Sequence, residues 1–269
     1  MLLFKKGDAT LPENYRPISL LPTGCKVLVA LIDQRLLDGG VDAKIRATQY
    51  GFRPNRNCSE ALMLIRRMID AAHEMKSESL SMVFLDWAKA FDRIRGDSLL
   101  KALRRFGLPE QFVNMIGAIY VERKFFIQDH CGTSSIFHQF AGIAQGCPLS
   151  PFLFIIVQSV MFHDIYGKIH LDPEPAFLVT NEVLYADDTV LLSSSAKNLQ
   201  TLMDAVVAEG ANYGLELNWS KTYQMNVNSS MLLTCPDGST LDSKRSIIYL
   251  GGLITCDGKS GTEMRRRVS

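Results

Sequence analysis

Val183-Leu-Tyr-Ala-Asp-Asp-Thr-Val-Leu-Leu192 sets two adjacent acids between two short apolar runs. That pattern predicts a β-hairpin over Glu182 to Ser193 with Asp187 and Asp188 at its tip. Neighbouring carboxylates desolvated by apolar residues repel each other unless a cation compensates, and a divalent metal ion is the natural candidate. An ordinary solvated turn explains the same pair equally well, because Asp is common in turns.

Asp86 shifts the balance. Leu80-Ser-Met-Val-Phe-Leu85 is a short apolar run that reads as a buried strand ending at this acid. Two carboxylates on a hairpin and one on a neighbouring strand can hold two Mg²⁺ ions about 3.5–4 Å apart, an arrangement suited to phosphoryl transfer. Alone, Asp86 would be better explained as a strand-terminal cap or a partner of Lys89.

Around these acids, helical periodicity predicts helices over Gly24–Leu37, Ser59–Met75 (capped by Asn57 or Ser59), Leu99–Phe106 and Gln111–Tyr120. The last two are broken at Gly107-Leu-Pro109. Ser150-Pro151 opens another helix running to about Gly167, and Leu199–Tyr213 is a further one. Short strands are expected around Gln224–Val227 and Ile247–Leu250. Helices mixed with short, non-sequential strands give an α+β class.

The 269 residues are 47% apolar and 21% charged, which excludes disorder, collagen and disulfide scaffolds. The longest apolar stretch, Phe152–Phe162, is interrupted by Gln158 and is too short to span a bilayer. Charge follows directly after the first four residues, so no signal-peptide core is present, and an intracellular protein without membrane partners is expected. The six cysteines (25, 58, 131, 147, 235, 256) form no C-x-x-C pair and read as reduced, structural thiols. A formal charge of +1 hides an asymmetry: residues 1–134 carry 20 Lys/Arg against 15 Asp/Glu, and residues 135–269 carry 9 against 13. The basic half suits a polyanion and the acidic half suits cations.

Seven segments taken in order resemble the successive motifs of reverse transcriptases, above all those of non-LTR (LINE-type) retrotransposons. They are Asn14-Tyr-Arg-Pro-Ile-Ser-Leu20, Gln49-Tyr-Gly-Phe-Arg-Pro54, Phe84-Leu-Asp-Trp-Ala-Lys-Ala-Phe-Asp92, Ala144-Gln-Gly-Cys-Pro-Leu-Ser-Pro151, Tyr185-Ala-Asp-Asp188, Leu217-Asn-Trp-Ser-Lys221 and Tyr249-Leu-Gly251. The resemblance implies the fingers and palm of a right-hand polymerase, with an antiparallel palm sheet packed on helices. Fingers would occupy 1–78 and 96–143, palm 79–95 and 144–256, and 257–269 would start toward a thumb. Only eighteen residues follow Gly251, so the thumb itself is expected to be absent.

The same resemblance assigns roles. Asp86, Asp187 and Asp188 would be the catalytic, metal-holding carboxylates for two Mg²⁺ ions, with Mn²⁺ as a substitute. Phe91 would be a steric gate beneath the sugar that favours deoxynucleotides. Gln145 and Gly146 would lie against the incoming nucleotide, and Arg16 with Lys5 (or Lys6) would hold its triphosphate. Lys221 would protonate the leaving pyrophosphate. Arg53 and Arg56 would touch template or primer backbone, and Tyr249, Leu250 and Gly251 would grip the primer. RNA template, DNA primer or target and dNTPs are the implied partners, in nucleus or cytoplasm. The rival readings are an RNA-dependent RNA polymerase and a catalytically inactive remnant or co-opted binding fold.

Several features read as bland. Lys101, Arg104 and Arg105, and Arg265 to Arg267, suit solvated helix faces. Gly252–Ser260 imitates a phosphate-binding loop, but five residues rather than four separate its glycines. His130, Cys131 and His138 match no zinc spacing.

Overall fold

The computed structural model describes residues 1–5, 7–11, 14–75, 78–120, 123–129 and 132–268. Lys6, His130 and Cys131 lie outside the described residues. The chain forms two compact units: Met1–Ile45, Lys89–Val160 and Asn212–Leu215 make the first, and Arg46–Ala88, Met161–Ala211 and Glu216–Ser269 the second.

In the first unit β1 (Leu2–Phe4) pairs antiparallel with β2 (Tyr15–Pro17), and α1 (Thr23–Asp38) follows. In the second, α2 (Cys58–Glu74) leads into β3 (Leu80–Leu85). After the short α3 (Ala90–Arg93), the first unit continues with α4 (Gly96–Phe106) and α5 (Glu110–Tyr120). Gly107, in the left-handed region at φ 92°, caps α4. Then come β4 (Arg123–Phe125), β5 (Gln128–Asp129), β6 (Gly132–Thr133) and β7 (Phe137–Gln139); β4 pairs with β7 and β5 with β6. Helix α6 (Ser150–Lys168) carries the apolar Phe152–Phe162 stretch, all of it buried or nearly so.

The second unit then adds β8 (Glu182–Tyr185), β9 (Asp188–Ser193), α7 (Ala196–Asn212), β10 (Tyr223–Val227), β11 (Ser246–Tyr249), β12 (Gly252–Thr255) and α8 (Gly261–Val268). Its centre is an antiparallel sheet of order β10-β3-β9-β8. Every residue of β3 is buried, as a central strand of nearly unbroken apolar sequence should be. Ala61, Ile65, Met68, Ile69 and Ala72 line one stripe of α2 and share a core with Met82, Phe84, Val183, Val190, Leu192 and Met225. The helix starts where Asn57 accepts a hydrogen bond from the Glu60 amide (3.1 Å) and donates one to the Glu60 carboxylate (3.0 Å).

This is the expected α+β architecture with an antiparallel sheet packed on helices. The helices near Gly24, Ser59, Gln111 and Ser150 fall within two residues of their predicted ends, whereas α4 begins three residues before Leu99. Residues 46–51 group with the sheet because their backbone bonds to β8. Among the described residues no helix is long and apolar enough to cross a membrane.

Candidate active site

The hairpin acids owe their position to the segment around Gln49. The Tyr50 amide donates to the Leu184 carbonyl (2.8 Å) and the Leu184 amide to Thr48 (2.9 Å). Gln49, fully buried, accepts hydrogen bonds through its side-chain oxygen from the amides of Gly51 (2.8 Å) and Ala186 (3.0 Å). A Cβ on Gly51 would lie 2.2 Å from the Ala186 nitrogen, so only glycine lets the two backbones approach. Ala186 itself stands at φ 55°, a strained turn conformation for a residue with a side chain. Farther along β8, buried Glu182 accepts hydrogen bonds from Arg46 (2.5 and 3.0 Å), Thr48 (2.8 Å) and the Tyr166 hydroxyl. Clamped in this way, the tip has little freedom to wander.

Asp86 reaches the same end of the sheet through register. Leu85 pairs with Thr189 and Tyr185 with Asp188, so one further step along β3 sets Asp86 across from Asp188. The neighbouring loop fixes this acid's backbone: the Asn218 amide donates to its carbonyl (2.7 Å), and the Ala88 amide donates to Glu216 (2.8 Å). The Trp87 indole N–H, one residue on, donates to Thr189 (3.2 Å).

The electrostatics match this geometry. Asp188 keeps an exposed face, yet desolvation, followed by the charges of Asp187 and Asp86, pushes its carboxyl up to about 6. Burial also raises Asp86, and the charge of the Lys221 ammonium opposes that rise. Tyr249, 5% exposed, packs edge-on against Phe84 at 5.6 Å. Its phenol is pushed upward by burial and by the nearby Asp188 and Tyr185. Among the described residues its hydroxyl has no hydrogen-bond partner. Leu250 (φ 48°) and Gly251 (φ 77°) make the primed two-residue turn that joins β11 to β12.

Among the described residues no three His, Cys, Asp or Glu side chains converge tightly enough to grip one ion as they stand. The donor set nevertheless fits a hard divalent cation: three all-oxygen ligands whose mutual repulsion a positive ion would relieve.

The first unit holds a second group of the predicted residues. The Gln145 side-chain amide donates to Asp92 (2.9 Å). Burial raises the Asp92 carboxyl, while Gln145, Lys89 and Lys5 pull it down, so Lys5 shares this neighbourhood. Gly146 stands at φ 100°, and a Cβ there would come within 3.0 Å of the Ser19 carbonyl oxygen. The left-handed backbone calls for glycine here, and residues 18 and 19 lie close beside it. Phe91 is half-buried and stacks on Phe154 with ring centroids 4.8 Å apart. Arg16 is exposed on β2, across from Leu3.

The remaining arginines are partly engaged. Arg53 donates to the carbonyls of Arg46 (3.0 Å) and Gln49 (3.3 Å), so it braces the clamp. Arg56 lies over the Tyr50 ring at 5.2 Å and pairs with Glu60 at 3.7 Å. Arg104 pairs with Glu110, and Arg266 and Arg267 with Glu263, which is more specific than the solvated faces expected of them.

Residues 4–254 match the family model described as reverse transcriptase (RNA-dependent DNA polymerase). The chain belongs to the reverse transcriptase family. Such enzymes generally use divalent metals. Among its relatives, the RNA-directed DNA polymerase from mobile element jockey of Drosophila melanogaster is 32% identical over 273 residues, covering 96% of this chain and 28% of that protein. The Pol polyprotein of the type-2 retrotransposable element R2DM of the same fly is 28% identical, covering 86% of this chain and 21% of that protein. The reverse transcriptase chain thus spans less than a third of these relatives' length. In fold it is similar to telomerase from Candida tropicalis (TM-score 0.60, 14% identity, 84% of this chain and 36% of that one). It is also similar to an insertion-loop deletion mutant of the RNA-dependent RNA polymerase of a human picobirnavirus (TM-score 0.52, 16% identity, 92% and 42%).

The motif Gln49-Tyr-Gly51 was legible as a family signature, but its clamping role was not. A glycine between two aromatic residues, next to a buried amide side chain, is the signal that could have pointed to a close backbone approach.

Proposed function

We propose that this chain is the fingers and palm of an RNA-directed DNA polymerase that extends a primer 3′-hydroxyl with dNTPs on an RNA template. The observation that carries this reading is the meeting of Asp86 with Asp187 and Asp188 at one end of β3 and β9, in a chain of the reverse transcriptase family. These three acids would hold two Mg²⁺ ions, with Mn²⁺ as a substitute, and the ions would supply charge neutralisation to the triphosphate and its leaving group.

The side chains of this protein do the rest. Lys221, whose charge acts on Asp86, is the proton donor to the departing pyrophosphate. Phe91, its ring held by Phe154, excludes a 2′-hydroxyl by bulk. Lys5 and Arg16 receive the triphosphate, and Gln145, fixed by Asp92, lies against the nucleotide with Gly146. Arg56 with Arg53 follows the nucleic-acid backbone, and Tyr249-Leu-Gly251 steers the primer end. Residues 1–78 and 96–143 act as fingers, 79–95 and 144–256 as palm, in a protein that works in nucleus or cytoplasm.

Primer extension on an RNA template with Mg²⁺ tests the proposal. Incorporation of dNTPs, little use of rNTPs, and a drop of at least about a thousandfold in Asp187→Asn are expected. Preference for rNTPs would favour the RNA polymerase reading. Extension unchanged by Asp187→Asn would refute the carboxylate centre.

A further inference from the structure

The β3–β9 ladder stops one step short of the acids. Its last pair is Leu85 with Thr189, so Asp86 and Asp188 lie past its end, where their like charges push the two strands apart. Side chains alternate along a strand, which sets Asp86 and Asp188 on the face of Phe84 and Val190, and Trp87 and Thr189 on the opposite face.

On that opposite face one hydrogen bond spans the gap. The Trp87 indole N–H donates to the Thr189 hydroxyl (3.2 Å), and the hydroxyl donates in turn to the Asp187 carbonyl (3.4 Å). Trp87 is 4% exposed and Thr189 1%, so water does not compete for either group. An indole N–H can only donate, whereas a hydroxyl donates and accepts. The chain of bonds therefore runs one way, from the residue after Asp86 to the backbone of Asp187.

The Asp86 end of this chain is held from behind. The Asp86 amide donates to the Thr222 hydroxyl (3.4 Å), which donates to the Asn218 carbonyl (3.0 Å), and Trp87 bridges to Leu217. Burial alone would be served by any large apolar residue at 87 and by valine at 189. A donor and a matching acceptor, each next to a carboxylate, are what packing does not explain.

We infer that Trp87 and Thr189 are positioning residues for the carboxylate centre: their hydrogen bond, on the far face of the sheet, sets how far Asp86 stands from the Asp187–Asp188 pair and so how tightly the three hold a divalent cation. The consequence for catalysis rests on the polymerase reading, but the first readout, cation binding, needs no turnover.

The test is titration of the full chain with Mn²⁺, followed by the electron paramagnetic resonance signal of the free ion, beside primer extension at varied Mg²⁺ and dNTP. Asp188→Asn marks which part of the binding belongs to this centre. Trp87→Phe keeps the ring and loses the donor, and Thr189→Val keeps the shape and loses the hydroxyl. Each weakens Mn²⁺ binding and lowers kcat at least about tenfold, the usual cost of removing a group that orients a metal ligand, and leaves KM for dNTP within about twofold. The double variant is no worse than Thr189→Val alone, because both substitutions break one bond. Thr189→Ser, which retains the hydroxyl, restores most of both. A merely structural role would lower the folded fraction, seen in urea unfolding, without moving the Mn²⁺ affinity of the folded chain. Variants that bind Mn²⁺ as the parent does would overturn the inference, as would losses that add in the double variant, or a Thr189→Ser variant as weak as Thr189→Val. A parent that takes up no Mn²⁺ would overturn it too. Mn²⁺ binding by the parent without primer extension would instead refute the polymerase reading and leave this inference to stand or fall on the binding measurements.

Discussion

Two hairpins in this chain are held in opposite ways. β8–β9 is pinned on every side: β9 pairs with β3, β8 bonds to residues 48 and 50, and its turn hangs on the side chain of Gln49. β4–β7 forms its own two-stranded ladder, with a tilted Phe125–Phe137 ring pair and most side chains in solvent. The first can hold like charges close together because the surrounding structure resists their repulsion. The second pays no such repulsion and displays ring surface instead. Where like charges must be held against each other the backbone is over-determined; where none meet, side chains can stay in solvent.

The sharpest way to break this comparison is at Gly51. Gly51→Ala drives a Cβ into the Ala186 backbone, which no side-chain rotation relieves, so a loss of about 3 kcal/mol or more is expected in urea unfolding. In the other hairpin, Phe137→Ala removes one exposed ring of a cross-strand pair and should cost about 1 kcal/mol or less. Similar losses for both would mean that the two hairpins are not held differently.

Tyr249→Phe sharpens the account from the other direction. The hydroxyl is buried and has no partner among the described residues, so its removal should leave stability unchanged or raise it by up to about 1 kcal/mol. A clear loss would reveal a hydrogen bond at this position.

The smallest expected effect is a response to acid. Glu263 accepts hydrogen bonds from Arg266, Arg267 and the Leu253 amide, and Arg266 first, then Arg267, holds its carboxyl at about 2 instead of 4.5. A depressed carboxyl adds stability above its ordinary value and loses it as pH falls toward 2. The protection of α8 amides, taken relative to their intrinsic exchange rates, should therefore fall between about pH 4.5 and 2, and Glu263→Gln should flatten that change.

Much of the sheet was readable before any coordinates. The unbroken apolar run 80–85 and the two-acid tip at 187–188 are local patterns, and their ends differ little from β3 and β8–β9. The juxtaposition of the three acids followed from the family resemblance and from treating the apolar runs as neighbouring strands. What stayed hidden is non-local or short. β12 is hidden in a segment, Gly252–Ser260, whose glycine spacing imitates a phosphate loop, although Gly252–Thr255 pairs with β11 through the Leu250-Gly251 turn. The strands of three residues at 2–4, 15–17, 123–125 and 137–139 give no periodicity to read. The roles of Gln49, Gly51 and Glu182 depend on partners more than 130 positions away, which no spacing rule reaches. The left-handed backbone of Gly146 and its nearness to residues 18 and 19, more than 120 positions earlier, are likewise beyond any spacing rule.

The central claim is that Asp86, Asp187 and Asp188 form one cation-holding centre, and thermal unfolding of the full chain with increasing Mg²⁺ tests it most directly. Mg²⁺ should raise the midpoint of the parent protein at neutral pH. Asp188→Asn should unfold at a higher temperature than the parent without metal, because a like charge has gone, and should gain little when Mg²⁺ is added. An equal Mg²⁺ shift in the parent, Asp86→Asn and Asp188→Asn would contradict the claim.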